Sequence, residues 1–367
     1  MNSKDYKEYK KILHNTIVPP NLELIEQAEK YHELTDFIIQ KMPKLLFRYR
    51  SCSELNFDAL DNGIIWTSKA KGMNDDFDAR ICYDKTKIKQ VINSYFNSDN
   101  SLKLFTEIKN SIELPKNIMT LPYAKELYQY IKNTSQEKLN QESLNFKNLL
   151  DKVLKKNIEN LINILQDQLK FACFSENIGS ISMWGLYANN GTGFALGYDF
   201  TNNNLNNCSV CNLKYNCKYR TLCNILPVNY INTRFDATEY IITLAQNTIL
   251  TDLANKQGIE INNNLIIPFQ DNFMTTKIAL HKSIEWQREK EWRMFCDNKQ
   301  LLNEEHTAIK KFPKAIYLGL NISPINEKIL TSIAKEKNIS IYKMIISPNN
   351  KQYKLTPKIV YKSINKK

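Results

Sequence analysis

The chain has 367 residues, 43% of them hydrophobic, so it can bury a full core as one large domain or two. No stretch approaches the roughly 18 uninterrupted apolar residues of a membrane helix, and the first residues lack the apolar region of a signal peptide. We therefore expect a cytoplasmic protein whose eight cysteines stay reduced. A net charge of +12 is compatible with anionic partners but does not by itself identify one.

Hydrophobic periodicity predicts the elements of the first half. Residues 22–41 have the spacing of an amphipathic helix, residues 45–50 alternate like a short strand, and residues 63–68 are β-like. Residues 86–170 are predicted to be helical, with a final apolar stripe that belongs to the core. This helix delivers the chain into a strand at residues 171–175.

The second half contains shorter elements. A turn is predicted at Asn189–Gly193, and helices are predicted near residues 236–256 and 270–283. A further helix has Ser323 as its N-cap and Pro324 at its first position. The strands predicted in this half are residues 194–200, 291–295, 315–320 and 339–346.

Short strands interrupted by long helical stretches, without regular βαβ alternation, predict an α+β fold with a mixed or antiparallel sheet. We expect an N-terminal helical segment at residues 1–43 and a single α+β domain at residues 44–360. That domain would carry a helical insertion at residues 86–170 and a small cysteine-rich insertion at residues 201–226. Residues 361–367 would form a basic tail.

Glycine and tryptophan are concentrated in three short blocks. Five of the nine glycines and Trp184 fall within residues 171–200, and the other tryptophans are Trp66, Trp286 and Trp292. Glycine lets a backbone approach a ligand closely, and tryptophan offers a stacking plane with one donor. The same concentration is also typical of a folding nucleus with tight hairpins, so both interpretations stay open.

The block EKEWRMF places two carboxylates close together. On a strand, Glu289, Glu291 and Arg293 would line one face, because residues two apart point the same way. Carboxylates in a cleft suit a reaction that develops positive charge, such as the oxocarbenium ion formed when a glycosidic bond breaks. The alternative is a solvated strand face in which Glu291 pairs with Arg293 or Lys290.

Arg48 and Arg50 lie two residues apart on the first predicted strand and so share a face. A planar guanidinium fork is suited to a diphosphate or a carboxylate. Two surface arginines without a ligand would give the same pattern.

The run Asn74–Asp78 (NDDFD) offers clustered oxygen ligands, but it has neither the spacing nor the glycine of a calcium loop. We therefore predict an Asx turn or a helix cap and assign no metal to it. A metal-dependent nuclease that uses Asp75, Asp76, Asp78 and Glu291 remains an alternative.

Four cysteines lie within sixteen residues, with the spacing C-x2-C-x5-C-x5-C. Thiolates at this density suit a tetrahedral soft-metal site, for which zinc is preferred over an iron–sulfur cluster, and free thiols are the alternative. Basic and aromatic residues between them would allow such a knuckle to contact nucleic acid. The predicted metal ligands are Cys208, Cys211, Cys217 and Cys223.

The ordered blocks resemble a known family. LFRYRS, then IIWTSKAKGMNDDFD, then ACFSEN…SMWGLYANNGTGFALGYD, then KSIEWQREKEWRMF, then AIYLGLN are similar to the bacterial domain of unknown function twenty-nine seventy-one. The resemblance spans about residues 44–360. The chain departs from the family pattern at Asp76, where proline is usual, and at Leu186, where histidine is frequent. The family name implies no activity.

A second resemblance, to ADP-ribosyltransferases of the arginine–serine–glutamate type, does imply one. Those enzymes carry an arginine on the first strand, a Phe-x-Ser strand and a Glu-x-Glu run. By this resemblance Arg48, together with Arg50, would contact NAD, Ser175 would orient the glutamate, and Glu291 would bond the nicotinamide ribose. Glu289 would handle the acceptor. The aromatic residues that would stack on nicotinamide are Trp66, Trp184 and Tyr187.

The resulting hypothesis is an NAD-dependent ADP-ribosyltransferase-like enzyme that modifies a protein or a nucleic acid. A role as a toxin or phage-defence effector follows only by analogy. The alternative from another class is a nucleic-acid-binding module that uses the cysteine knuckle and the lysines that follow Glu336, after which no acidic residue occurs.

Overall fold

The fold is described from a computed structural model. The described residues are 1–19, 22–96, 98–113, 124–201, 225–245, 248, 271–295 and 308–364.

The helices are numbered here in chain order. They are α1 (Ser3–Asn15), α2 (Leu24–Lys30), α3 (His32–Lys41), α4 (Glu54–Asp61), α5 (Lys85–Phe96), α6 (Ser98–Asn110), α7 (Ala124–Asn133), α8 (Gln136–Asn163), α9 (Ile181–Tyr187), α10 (Met274–Ala279) and α11 (Pro324–Glu336). A π-helical turn, Ile164–Gln168, continues α8, and short 3₁₀ helices occupy Ala70–Gly72 and Ile284–Glu289. Residues 238–245 are also helical.

The strands are β1 (Leu46–Arg50), β2 (Ile64–Trp66), β3 (Ser68–Lys69), β4 (Lys170–Ser175), β5 (Phe194–Tyr198), β6 (Ile225–Pro227), β7 (Asn229–Ile231), β8 (His281–Ser283), β9 (Glu291–Phe295), β10 (Ala308–Lys310), β11 (Ala315–Leu318), β12 (Ser340–Ile345) and β13 (Thr356–Tyr361). Among the described strands, nine form one sheet in the order β13-β12-β11-β5-β1-β4-β9-β6, with β3 paired to β4 off this path. Strands β11 and β12 are parallel, and the other pairs of this sheet are antiparallel. The α+β fold with a mixed sheet is therefore confirmed.

The sheet is covered on both faces, and its central strands β5 and β1 are buried along almost their whole length. Leu46 and the alternate residues of neighbouring strands belong to one core cluster, which also contains residues of α1, α3, α4 and α11. Phe47 and Tyr49 point to the other face, where Met183 and Trp184 of α9 pack against them. Successive residues of a strand point to opposite faces, so β1 contributes to both clusters.

The N-terminal helices differ from the prediction. The helix expected at residues 22–41 is interrupted at Tyr31, where α2 ends and α3 begins, and α1 precedes both. The Tyr31 ring packs edge-on against Phe273 with the ring centroids 5.1 Å apart, so a tertiary contact accompanies the break between the two helices. Tyr9 of α1 and Ile38 of α3 lie in the same core cluster as the sheet.

The helix predicted near residues 270–283 is present only as α10 and gives way to strand β8 at His281, so that prediction is wrong over its last residues. Local signals were reliable at the other strands and at one helix cap. The strands predicted at residues 171–175, 194–200, 291–295, 315–320 and 339–346 are present as β4, β5, β9, β11 and β12. The Ser323 side chain accepts a hydrogen bond from the Asn326 N–H, as expected of an N-cap. Helix α9 within the glycine-rich block and the edge strand β13 were not predicted from the sequence.

Candidate functional site

A cleft opens where strand β4 changes partner. At one end of β4, Ser175 pairs with Phe47 of β1, and at the other end Phe171 pairs with Ser68 of β3. The cleft between these pairings has a volume of about 200 Å³. It is lined by residues of β1, of the segment that follows β3, of β4 and of α9, together with Lys282, Glu289 and Glu291.

Ser175 and Glu291 lie directly opposite each other on the antiparallel strands β4 and β9. The fully buried Ser175 hydroxyl donates to the backbone carbonyl of Glu289 at 2.6 Å and accepts from the Asn177 N–H at 3.1 Å. Ser175 therefore fixes the backbone that leads into β9, and its hydroxyl does not bond the Glu291 carboxylate.

Glu289 does not lie on the strand with Glu291, so that part of the strand prediction is wrong. Glu289 ends the 3₁₀ helix, and Lys290 adopts a left-handed conformation with φ 45° and ψ 53° before β9 begins. Left-handed backbone is uncommon for a residue other than glycine, so no local pattern predicts it at Lys290. Both carboxylates nevertheless line the cleft.

Lys282 of β8 joins the two glutamates. Its ammonium donates to Glu289 at 2.7 Å and to Glu291 at 2.9 Å, and it lies 4.0 Å from an Asp78 oxygen. The same ammonium lies 5.0 Å from the centre of the Trp286 ring, within the range of a cation–π contact. Lys282 was not singled out from the sequence, because a single lysine near a tryptophan carries no motif.

Arg293 completes the network on the other side of Glu291. Its Nε donates to Glu291 at 2.8 Å, and its two terminal nitrogens each donate to an Asp78 oxygen at 2.6 Å. Every residue of β9 is buried, so the expected alternative of a solvated strand face is wrong. The pairing of Glu291 with Arg293 that accompanied this alternative is present.

Burial and the charges of the network shift the pKa values of its members in different directions. Burial acts to raise the pKa of Glu291, but Arg293 and Lys282 outweigh burial and hold that pKa well below its usual value. Burial also acts to lower the pKa of Lys282, yet the surrounding carboxylates raise it. For Asp78 burial is the larger influence and raises the pKa, although Arg293 opposes the shift. Glu291 and Lys282 are therefore charged at neutral pH.

The two arginines predicted to bind a ligand line this same cleft. Arg48 is buried, donates to the backbone carbonyl of Trp66, and lies 5.8 Å from the centre of the Phe174 ring. Arg50 donates to the Tyr49 carbonyl at 3.0 Å. Burial and the neighbouring Arg48 lower the pKa of Arg50 to about 9, which leaves it protonated at neutral pH.

Of the three aromatic residues expected to stack on a ligand, Tyr187 lines the cleft and Trp184 does not. Trp184 is 2% exposed, donates from its indole N–H to the Ile178 carbonyl at 2.7 Å, and packs edge-on against Tyr49. It is a core residue, because both its ring and its donor are already used. The half-buried Trp66 contributes its backbone carbonyl to Arg48.

Tyr187 and Cys173 touch the carboxylates from the α9 and β4 sides. The Tyr187 hydroxyl donates to Glu289 at 2.6 Å. Burial and the neighbouring Glu289 raise the pKa of Tyr187, so it remains a donor. Burial, followed by the Glu291 charge, raises the pKa of Cys173. Cys173 was predicted to be a buried small hydrophobe, and its role beside Glu291 was missed.

The NDDFD run forms the Asx turn that its sequence predicts, with Asp75 Oδ1 accepting from the Phe77 N–H at 2.9 Å. Asp78 is committed to Arg293. Within the described part of the chain, no group of three or more histidine, cysteine, aspartate or glutamate residues is arranged to hold a metal ion. The predicted ligands Cys208, Cys211, Cys217 and Cys223 lie outside the described residues.

None of the helices that the structure describes has both the length and the apolarity needed to cross a membrane.

Comparisons with known proteins give one match, to a family model. No curated protein and no solved structure matches the chain. Residues 183–294, which include Tyr187, Glu289 and Glu291, match the model of the family described as Protein of unknown function (DUF2971). The family resemblance is therefore confirmed over this segment.

Proposed function

We propose that the cleft binds NAD and that the protein transfers ADP-ribose from it to a macromolecule. The observation that supports this proposal is the convergence of Arg48 and the Glu289–Glu291 pair on one cleft, although these residues come from two distant parts of the chain. Ser175 does not line the cleft and contributes by fixing the backbone of Glu289. The half of NAD that contains the bond to be broken has the diphosphate at one end and the nicotinamide ribose at the other. The cation pair, Arg48 and Arg50, suits the diphosphate, and the carboxylate pair suits the ribose.

The size of the cleft limits what it encloses. Pockets that bury most of a drug-sized ligand measure about 300–1,000 Å³, whereas this cleft has about 200 Å³. It would therefore enclose the nicotinamide and its ribose. The diphosphate would lie at the rim against Arg48 and Arg50, and the adenosine would extend over the surface.

The reaction follows from the charges. The bond between the ribose C1′ and the nicotinamide nitrogen breaks, and its electron pair leaves with nicotinamide. The positive charge that develops on the ribose carbon is stabilised by the ionised carboxylates. A nucleophile of the acceptor then supplies an electron pair to C1′ and releases its proton to solvent. No metal ion is required by this scheme.

The two alternatives make different demands on the same residues. A metal-dependent nuclease would need free carboxylate oxygens, but Asp78 and Glu291 both accept hydrogen bonds from Arg293. A nucleic-acid-binding module would depend on the cysteine knuckle, which lies outside the described residues, and on the C-terminal lysines. The proposed zinc site in that knuckle depends on the spacing of its four cysteines, and the proposed role in toxicity or phage defence depends on analogy alone.

The decisive experiment is an assay of nicotinamide release from NAD by the purified full-length protein, with and without total cellular RNA, DNA and protein as acceptors. Release of nicotinamide with label from the adenosine half retained on an acceptor supports the transferase. Salt-sensitive nucleic-acid binding without NAD turnover supports the binding module, and cleavage of nucleic acid that stops with chelator supports the nuclease.

A further inference from the structure

The two glutamates of the cleft differ in how many donors already occupy them. A carboxylate offers about four lone-pair positions for hydrogen bonds. Glu291 accepts from Arg293 Nε at 2.8 Å, from Lys282 at 2.9 Å and from a terminal nitrogen of Arg293 at 3.2 Å. These three contacts bring Glu291 close to saturation by the protein itself.

Glu289 is bonded at two points. Its Oε1 accepts from the Tyr187 hydroxyl at 2.6 Å, and its Oε2 accepts from Lys282 at 2.7 Å. These are the donors that the described residues supply to its carboxylate, so about half of its acceptor positions remain for a ligand. Glu289 also lines the same cleft as Glu291.

We propose that Glu289 is the carboxylate that accepts a hydrogen bond from the ligand, and that Glu291 and Lys282 are positioning residues for it. This assignment rests on the proposed function and reverses the order that the ADP-ribosyltransferase resemblance implies. The ligand group is the 2′-hydroxyl of the nicotinamide ribose, because a neutral O–H donor beside the reacting carbon can use the spare lone pairs of Glu289.

The packing explains how the division of roles works. Arg293 fixes Glu291, Glu291 fixes the shared ammonium of Lys282, and that ammonium fixes one oxygen of Glu289. Tyr187 holds the other oxygen from α9. A reacting group held on both sides by supporting contacts needs little reorganisation when charge develops.

The cationic partners of the two glutamates differ in the same direction. Glu291 pairs with both Lys282 and Arg293, whereas Glu289 pairs with Lys282 alone. The carboxylate with fewer fixed cations beside it is the better stabiliser of positive charge on the ribose.

The test combines two variants with two ligands. Nicotinamide release is measured for wild-type protein, Glu289→Gln and Glu291→Gln, with NAD and with its analogue that lacks the 2′-hydroxyl on the nicotinamide ribose. Glu289→Gln should lower kcat by about 10²–10³-fold in protein that still folds, because Glu291 continues to pair with Lys282. For this variant, kcat with the analogue should differ from kcat with NAD by less than about twofold. The reason is that the hydrogen bond between the Glu289 carboxylate and the 2′-hydroxyl has already been removed by the substitution. Glu285→Gln, an exposed glutamate on the same 3₁₀ helix, is the matched control.

Each outcome separates the assignment from the proposed function. An active wild-type protein in which Glu291→Gln, and not Glu289→Gln, abolishes sensitivity to the 2′-hydroxyl would overturn the assignment alone. A wild-type protein that neither binds nor cleaves NAD would overturn the proposed function, and the assignment with it. If Glu291→Gln does not fold, Tyr187→Phe takes its place: it removes a donor to Glu289 only, and it should reduce kcat and partly suppress the response to the analogue.

Discussion

Arg293 holds Asp78 with both of its terminal nitrogens, each 2.6 Å from a different carboxylate oxygen. The two residues are 215 positions apart in the sequence, and both are almost completely buried. A bidentate pair of this kind fixes the orientation of both groups. It ties the turn after β3 to the strand that carries Glu291, so the wall of the cleft depends on it.

Asp78→Asn should destabilise the protein by about 3–5 kcal/mol, because it breaks the buried bidentate ion pair and leaves Arg293 with only the Glu291 carboxylate that it shares with Lys282. The measurement is the free energy of unfolding in urea. Asp76→Asn, an exposed neighbour in the same run, should change that free energy by no more than about 0.5 kcal/mol. Equal effects of the two substitutions would mean that the Arg293–Asp78 pair contributes nothing to stability.

The stability difference between wild-type protein and Glu291→Gln should depend on pH. The folded pKa of Glu291 lies below its ordinary value of 4.5, so its ionised form stabilises the folded state. This contribution is complete above about pH 4.5 and is lost as the pH falls towards the folded pKa. Urea unfolding of both proteins between about pH 3.5 and pH 7 measures it. A difference that stays constant over this range would contradict the low pKa.

Arg48→Lys should weaken NAD binding more than it lowers kcat, because a single ammonium cannot reproduce the planar fork at a diphosphate. We expect KM to rise by about tenfold, which corresponds to the loss of roughly one charge-assisted hydrogen bond. Calorimetric binding and steady-state kinetics of nicotinamide release check this. The exposed Arg80→Lys is the control. A lower kcat at unchanged KM would place Arg48 in the bond-breaking step.

Gly193→Ala should destabilise the protein by about 1–3 kcal/mol, because its added Cβ would collide with backbone. That Cβ would lie 2.2 Å from the Arg50 carbonyl oxygen and 3.0 Å from the Ala188 carbonyl oxygen. Gly185→Ala in α9, where the added Cβ meets nothing within 4 Å, should be neutral or slightly stabilising. Melting temperatures of both variants test this close approach. A stable Gly193→Ala protein would show that β1 and the start of β5 can separate.

The four clustered cysteines should bind one zinc ion, with sulfur atoms about 2.3 Å from the metal. Elemental analysis and X-ray absorption on purified protein measure the metal and the distance, and a preparation with neither zinc nor iron would contradict the prediction. Removal of the metal should disorder the insertion and leave the melting of the sheet domain largely unchanged. The ligands are Cys208, Cys211, Cys217 and Cys223.

The sequence by itself determined the elements whose signals are local. Alternation identified β4 and β9, and the Ser-Pro pair identified the start of α11, because strand periodicity and helix capping involve residues only a few positions apart. It also placed Arg48, Ser175 and Glu291 among the candidate residues. The helix break at Tyr31 was not predicted from the sequence, because it is accompanied by a contact with Phe273, which is distant in the chain.

Only the tertiary structure decided which candidates meet and what each one touches. Composition could not separate Trp184, which is core, from Tyr187, which faces the cleft, because both are aromatic residues on the same short helix. Lys282 has no motif, and its importance comes from two carboxylates that converge on it. The left-handed turn at Lys290 moved Glu289 off the strand. Burial, donor counting and long-range ion pairs depend on three-dimensional proximity, which no local pattern encodes.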